Sequence, residues 1–143
     1  MTKFTPSILA VIPARMGSTR VKLKNIRATG STLVEQALAC CDDIPTCIST
    51  DEPAYFHHLA SAEVTLIKRP PEISTSSSNV LHAVRHALIS MEKMNNCQYD
   101  IVITLMPAIA SRSYNILHDM LNHFLLAHPS TNSSISVAET HPW

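Results

Sequence analysis

Short runs of apolar residues alternate along this chain with longer stretches whose apolar residues recur every three or four positions. The short runs end at proline or polar residues, which is typical of strands buried on both faces of a sheet. The longer stretches show the periodicity of amphipathic helices. The predicted strands are Ile8–Ile12, Thr46–Thr50, Val64–Ile67, Ile101–Leu105 and Ser133–Ala138. This alternation restricts the chain to one parallel sheet covered by helices on both faces.

Four helices are expected between these strands, at 31–41, 51–59, 79–91 and 116–125. Ser31 or Thr32 is expected to cap the first helix, and the serine-rich run 74–79 precedes and caps the third. The predicted fold class is therefore α/β: a three-layer α/β/α arrangement around a mostly parallel, Rossmann-like sheet. About five strands are expected in the order 3-2-1-4-5. A length of 143 residues is that of a single domain.

The charges are unevenly distributed along a chain whose formal net charge is zero. Residues 1–30 carry six basic side chains and no acidic one, so the rest of the chain sums to −6. A hydrophobic content of 45% excludes a disordered tail. No apolar run approaches the ~20 residues of a membrane span, and Lys3 is not followed by the apolar stretch of a signal peptide. We therefore expect a cytoplasmic protein without a membrane partner.

The cysteine and histidine residues do not form a metal-binding pattern. No CxxC pair occurs among the four cysteines, so reduced buried thiols are expected at Cys40, Cys41, Cys47 and Cys97. His82 and His86 lie four residues apart on one predicted helix, but neither HExxH nor a third ligand accompanies them. We predict no metal site on these side chains.

The predicted topology places the basic segment where parallel sheets bind ligands. That position is the carboxyl end of the strands where strand order reverses, between the first and fourth strands. The loop after the first strand starts at Arg15, the loop after the fourth ends at Arg112, and Arg69 follows the third. Several cations beside Gly17 and free backbone amides favour a polyphosphate. The segment is not a P-loop or a dinucleotide-binding loop, because GxxxxGK[ST] and GxGxxG are absent. No aromatic residues lie among its basic residues, so we expect no nucleic-acid partner.

Motifs along the whole chain resemble those of one enzyme family. The loop Ile12-Pro13-Ala14-Arg15-Met16-Gly17-Ser18-Thr19-Arg20 and the following Lys24-Asn25-Ile26 resemble the signature of cytidylyltransferases that activate acidic sugars. More narrowly, they resemble acylneuraminate (CMP-sialic acid) synthetases. The resemblance continues through Ser49-Thr50-Asp51, Arg69-Pro70 with Glu72, the serines before Leu81-His82-Ala83, Leu105-x-Pro107 with Arg112, and Ser136-Val137 with His141-Pro142. The opening loop is shared with related sugar nucleotidyltransferases, so the complete series is the more specific signal.

This resemblance implies transfer of CMP from CTP to an acidic nine-carbon sugar, with release of pyrophosphate and with Mg²⁺ as the cofactor. It implies that Arg15 and Lys24 hold the triphosphate, which makes them the candidate catalytic residues. The backbone of Gly17 and Ser18 is implied to approach the triphosphate closely.

The same resemblance implies a second group of nucleotide contacts. Asn25 and Arg69 are expected to position the cytidine moiety. One serine of the run 74–78 completes the contacts; the resemblance does not identify which, and Ser76 is the candidate we select.

Two departures from the family pattern bear on activity. Where the family has polar Gln, Thr and Ser after the fourth strand, this chain has Met106, Ala108 and Ile109. Family members also extend further, and their additional part supplies metal-binding aspartates, a sugar-binding wall and dimerisation elements. We therefore expect residues 1–143 to be one nucleotidyltransferase-like domain without that part. Asp51 is then the only acid near a strand end that could replace the missing metal ligands.

Two functions remain open at this stage. The first is a cytidylyltransferase of the acylneuraminate type, acting on CTP and an acidic sugar. The second is a truncated, non-catalytic relative that only binds nucleotide or a partner subunit. Loss of the further part also predicts an exposed apolar face and a weakened homodimer.

Overall fold

The chain folds around one parallel sheet. A computed structural model describes residues 5–17, 31–109, 113–127 and 130–134. Within them the sheet has four strands in the order β3-β2-β1-β4, namely β1 (Ile8–Pro13), β2 (Thr46–Thr50), β3 (Val64–Lys68) and β4 (Ile101–Thr104). All pairings are parallel, with Ile12 beside Ile48 and Ala10 beside Ile103. The predicted order is confirmed for these four strands.

The central strand β1 is buried on both faces because its side chains alternate between two hydrophobic clusters. Ala10 and Ile12 belong to one cluster, and Leu9 and Val11 to the other; all four are fully buried. A strand covered on both sides needs a continuous apolar run rather than an alternating one, which is the pattern of this segment.

In the part of the chain that the structure describes, three α-helices cover the two faces of the sheet: α1 (Leu33–Leu38), α2 (Val80–Asn95) and α3 (Tyr114–Leu126). Residues of α1 and Leu117 of α3 join the cluster that contains Ile12, whereas Ala87 and Met91 of α2 join the cluster that contains Val11. The result is the predicted three-layer α/β/α arrangement. Among the described residues, no helix is long and apolar enough to cross a membrane.

Local capping determines where the helices begin. Thr32 caps α1 through a capping box, in which its hydroxyl accepts from the Glu35 N–H and the Glu35 carboxylate accepts from the Thr32 N–H. Asn79 caps α2 and Ser113 caps α3. Helix α1 is shorter than predicted. It ends at Leu38, and the turn that follows includes Asp42 with a positive φ of 41°.

Two other predictions differ from the structure. The segment predicted as a helix over 51–59 forms a 3₁₀ helix at Pro53–Leu59, in which only Phe56 is buried, so little packing favours a longer α-helix. A second, short 3₁₀ helix spans Pro71–Ile73. The predicted fifth strand starts at Ser133, but Ser133 and Ser134 are not in a strand, and its remaining residues lie outside the described part.

Candidate functional site

A polar cleft of about 190 Å³ opens at the carboxyl ends of the strands, next to the beginning of α2. Complete small-molecule sites commonly reach about 300 Å³ or more, so the described residues bound only part of a nucleotide-sized site. The cleft is lined by Pro13, Arg15, Arg69, Ile73, Thr75, Ser76, Ser78, Asn79, Val80, Met106, Pro107 and Ala108. It therefore brings together three of the predicted site residues, Arg15, Arg69 and Ser76.

Arg69 is a buried cation whose guanidinium is hydrogen-bonded to the end of β2. Its side chain is only 5% exposed, its Nε donates to Ser49 Oγ at 3.2 Å, and its Nη2 donates to the Ser49 carbonyl at 2.8 Å. Burial lowers the pKa of the Arg69 guanidinium below its ordinary value; the nearby Asp51 opposes this effect and Arg15 adds to it. A guanidinium fixed in this way presents its charge to the cleft with little freedom to move.

The basic segment begins at the same edge. Arg15 is half-buried and lines the cleft, and the Met16 N–H donates to Asp51 Oδ1 at 2.9 Å. Gly17 follows and is exposed. A Cβ at Gly17 would meet Arg15 Nη1 at 3.5 Å, an ordinary contact, so these neighbours do not by themselves require a glycine. The close approach of a phosphate to Gly17 stays a prediction from the sequence.

The serine-rich run forms the wall opposite the strands, and its hydroxyls differ in their hydrogen bonding. Ser74 Oγ donates to the Pro70 carbonyl at 2.8 Å, and the Ser78 hydroxyl lies 2.7 Å from that of Thr75. Ser77 Oγ lies 3.2 Å from the same Thr75 oxygen. Ser76 lines the cleft, and within the described residues its hydroxyl has no hydrogen-bond partner. Of the candidate serines, Ser76 alone combines a position in the cleft with an uncommitted hydroxyl.

The wall after β4 is apolar. Met106, Pro107 and Ala108 line the cleft, and Met106 also borders a larger groove of about 600 Å³ beside β4. Ile109 lines only that groove. The groove is largely apolar and is formed by the outer side of β4, the start of α2, one side of α3 and the segment 132–134. It matches in character the apolar face expected from the sequence.

The described residues do not offer the carboxylate set that Mg²⁺ prefers. Among them, no three His, Cys, Asp or Glu side chains lie close enough to hold a metal ion. Asp51 follows β2 directly without lining the cleft, and its Oδ1 already accepts from the Met16 backbone. Asp51 is therefore a poor replacement for a magnesium ligand.

Several predicted site residues cannot be placed. Ser18, Lys24, Asn25 and Arg112 lie outside the described residues, so their contribution to the cleft stays a prediction. The sequence did not reveal two contacts that organise the cleft, the hydrogen bond from Arg69 to Ser49 and the one from Met16 to Asp51. The position of Ser49-Thr50-Asp51 at the end of a predicted strand indicated that these residues lie near the site. No local sequence pattern indicated that they contact Arg69 and Met16.

The chain is an α/β protein with a basic, hydroxyl-lined crevice at the carboxyl ends of its parallel strands, the place where open α/β sheets bind ligands. The chain belongs to the cytidylyltransferase family, whose family model matches residues 9–118. It is similar to the CMP-N,N'-diacetyllegionaminic acid synthase of Legionella pneumophila, with 29% identity over 135 residues. That match covers 90% of this chain but 56% of the relative, so the chain spans little more than half of the relative's length.

Solved structures share this fold at low sequence identity. A cytidylyltransferase from Leptospira borgpetersenii superposes with a TM-score of 0.59 at 20% identity, covering 87% of this chain and 51% of its own. A 4-diphosphocytidyl-2C-methyl-D-erythritol synthase gives 0.63 at 14% identity, covering 87% and 57%. A CMP:2-keto-3-deoxy-manno-octonic acid synthetase complexed with CTP gives 0.56 at 19% identity, covering 82% and 47%. These likenesses establish the fold.

Proposed function

We propose that residues 1–143 form the nucleotide-binding part of a cytidylyltransferase that transfers CMP from CTP to an acidic nine-carbon sugar of the acylneuraminate type. The observation that carries this proposal is the cleft in which Arg15 and the buried Arg69 face the uncommitted hydroxyl of Ser76. The family membership and the name of the Legionella relative, a synthase for a CMP-linked legionaminic acid, support the nucleotide and the class of sugar.

The chemistry of such a reaction fits the charges of the cleft. A sugar hydroxyl oxygen attacks the α-phosphorus of CTP, the bond from that phosphorus to the bridging oxygen breaks, pyrophosphate leaves, and the hydroxyl proton is released to water. Negative charge increases on the departing pyrophosphate, so fixed cations at the cleft stabilise the transition state. We assign this role to Arg15 and, on the resemblance alone, to Lys24.

The remaining assignments follow the same logic. Arg69 and Asn25 position the cytidine moiety, Ser76 donates to the nucleotide, and the backbone of Gly17 and Ser18 approaches the phosphates. The acidic sugar, Mg²⁺, a cytoplasmic location and a weak homodimer are further parts of the proposal. No catalytic step is derived through Mg²⁺, because the described side chains do not provide its ligands.

A second candidate function is nucleotide binding without turnover. The observation that favours it is the apolar wall after β4, where Met106 and Ala108 line the cleft in place of polar side chains. Loss of one transition-state donor typically costs about 10²- to 10³-fold in rate while leaving ground-state binding less affected.

The first experiment measures CTP binding by isothermal titration calorimetry for the wild type, Arg15→Ala and the control Arg85→Ala. Arg85 is exposed on α2 and does not line the cleft. We expect Arg15→Ala to weaken binding by about 10- to 150-fold, because a hydrogen bond to a charged group contributes roughly 1.5–3 kcal/mol. Arg85→Ala should bind like the wild type. Equal affinity of all three proteins would reject the cleft as the nucleotide site.

A pyrophosphate-release assay then separates the two candidates. The wild type is incubated with CTP, Mg²⁺ and either N-acetylneuraminic acid or a legionaminic acid. Release above the sugar-free control supports the transferase and rejects the non-catalytic relative. CTP binding without release assigns this chain the second function.

A further inference from the structure

A carboxylate extends the hydrogen-bond ladder between β1 and β2 past the end of the strands. The backbone N–H of Ala10 donates to the Pro45 carbonyl at 2.9 Å, and that of Ala14 donates to the Ser49 carbonyl at 2.8 Å. Continuing this register by two residues pairs the N–H of Met16 with residue 51. At that position the acceptor is the Asp51 side chain, Oδ1 at 2.9 Å, instead of a backbone carbonyl.

This rung lies where the chain enters the basic segment. Met16 is buried and is followed directly by the exposed Gly17, while Arg15 on its other side lines the cleft. A parallel ladder normally ends when the strands diverge, which leaves the next N–H without a strand partner. The contact from Asp51 therefore keeps the backbone in strand register for one more rung, up to the residue before Gly17.

The negative charge of Asp51 does not explain why an acid lies beside the proposed nucleotide site. A carboxylate beside a triphosphate site repels the ligand, so charge alone disfavours an acid here. Its hydrogen bond to Met16 gives a different reason for its presence. The negative charge of Asp51 also offsets part of the lowering of the Arg69 pKa by burial.

We propose that Asp51 is a positioning residue that holds the Met16 backbone against the end of β2, so that Arg15 before it and the Gly17 amide after it are oriented toward the phosphates of the nucleotide. This inference rests on the proposed function for its ligand. The contact between Asp51 and Met16 can be tested independently of any ligand.

The test compares Asp51→Ala, Asp51→Asn and the control Asp43→Ala. Asparagine keeps a side-chain oxygen that accepts from Met16 but removes the charge, whereas alanine removes both. Asp43 is exposed and precedes β2, at the opposite end of the strand from the cleft. Titration with CTP should show about tenfold weaker binding for Asp51→Ala, in line with the loss of one charge-assisted hydrogen bond. Asp51→Asn and Asp43→Ala should bind at least as well as the wild type.

A role through charge and a role through position predict opposite changes in the CTP affinity of Asp51→Ala, so the measurement distinguishes them. If Asp51 acts only through its charge, both Asp51 variants bind CTP more tightly than the wild type, and the inference is overturned. Amide hydrogen exchange of ligand-free protein by NMR provides the independent readout. Met16 should exchange about tenfold faster in Asp51→Ala than in the wild type or Asp51→Asn.

Failure of the proposed function gives a different pattern. A wild type that binds no CTP rejects both that function and the role of Asp51 toward a nucleotide, even if Met16 exchange confirms the contact. A wild type that binds CTP, with unchanged affinity in Asp51→Ala, rejects the positioning role and leaves the nucleotide site intact.

Discussion

The two neighbours of the central strand differ sharply in how they are covered. On one side, all five residues of β2 are buried, and β2 pairs with β1 and β3. On the other side, the residues of β4 are only partly buried, Thr104 is exposed, and within the described residues β4 pairs with β1 alone. We call these the closed side and the open side of the sheet.

The polar groups of the cleft are anchored on the closed side. Ser49 and Asp51, at the end of β2, hold Arg69 and Met16 through hydrogen bonds of 2.8–3.2 Å. A buried guanidinium requires acceptors whose positions are fixed, and a strand paired on both edges provides them. The open side carries the apolar groove instead, and Met106 and Val80 border both cavities. The buried cation and its hydrogen-bonded acceptors therefore lie on one side of β1, and exposed apolar surface lies on the other.

The largest expected effect is a loss of stability, which should be greater for a substitution in the buried strand β2 than for one in the partly exposed strand β4. Ile48→Ala in β2 and Ile103→Ala in β4 remove the same atoms from the same face of the sheet, on opposite sides of β1. Ile48 is fully buried and should lose about 3–5 kcal/mol of unfolding free energy, whereas the half-buried Ile103 should lose about 1–2 kcal/mol. Urea denaturation measures both values. Equal losses would show that β4 is covered in solution, and the comparison between the sides would fail.

The second prediction concerns Met106, where the cleft and the groove meet. Met106→Gln introduces a donor at the cleft wall and should tighten CTP binding about 2- to 10-fold, the worth of one net hydrogen bond of roughly 0.5–1.5 kcal/mol. Ile109→Gln is the control, because Ile109 lines the groove alone. Calorimetry should therefore separate the two variants. The same gain in both would mean that the groove, as well as the cleft, contacts the nucleotide.

The smallest expected effect is the pH dependence of the cap on α1, which packs against β1 on the face that contains Ile48. Hydrogen bonds from Thr32 hold the pKa of Glu35 below its ordinary value of 4.5. The ionised carboxylate therefore adds stability above pH 4.5, and this contribution is lost as the pH falls through the lowered pKa.

Glu35→Gln keeps the capping-box geometry and removes this titration. At pH 7 the variant should be less stable than the wild type by about 0.3 kcal/mol, since Glu35 is partly exposed and its charge is screened. Thermal unfolding at several pH values should show this difference closing below pH 4.5. A difference that grows toward low pH would contradict the assigned cause.

Much of the fold could be predicted because its signals are local. The apolar run around Val11, the spacing on α2 and the cap at Thr32 each depend on a few consecutive residues. The order of four strands was predicted from the common doubly wound arrangement of alternating strands and helices. The 3₁₀ helix at Pro53–Leu59 was predicted less well, because a helix buried through Phe56 alone gains little from the packing that periodicity reflects.

The candidate site was also predictable only in part from the sequence. Arg15, Arg69 and Ser76 were identified from the order of motifs, and they line one cleft because parallel strands end at one edge of the sheet. The sequence by itself determined that a basic, glycine-containing segment follows the first strand of a parallel sheet. Only the tertiary structure decided that Ser49 fixes Arg69, that Asp51 reaches Met16 across 35 positions, and that Ser76 has the uncommitted hydroxyl. Such contacts depend on strand register and on where the chain turns after each strand, and neither is encoded within a few neighbouring residues.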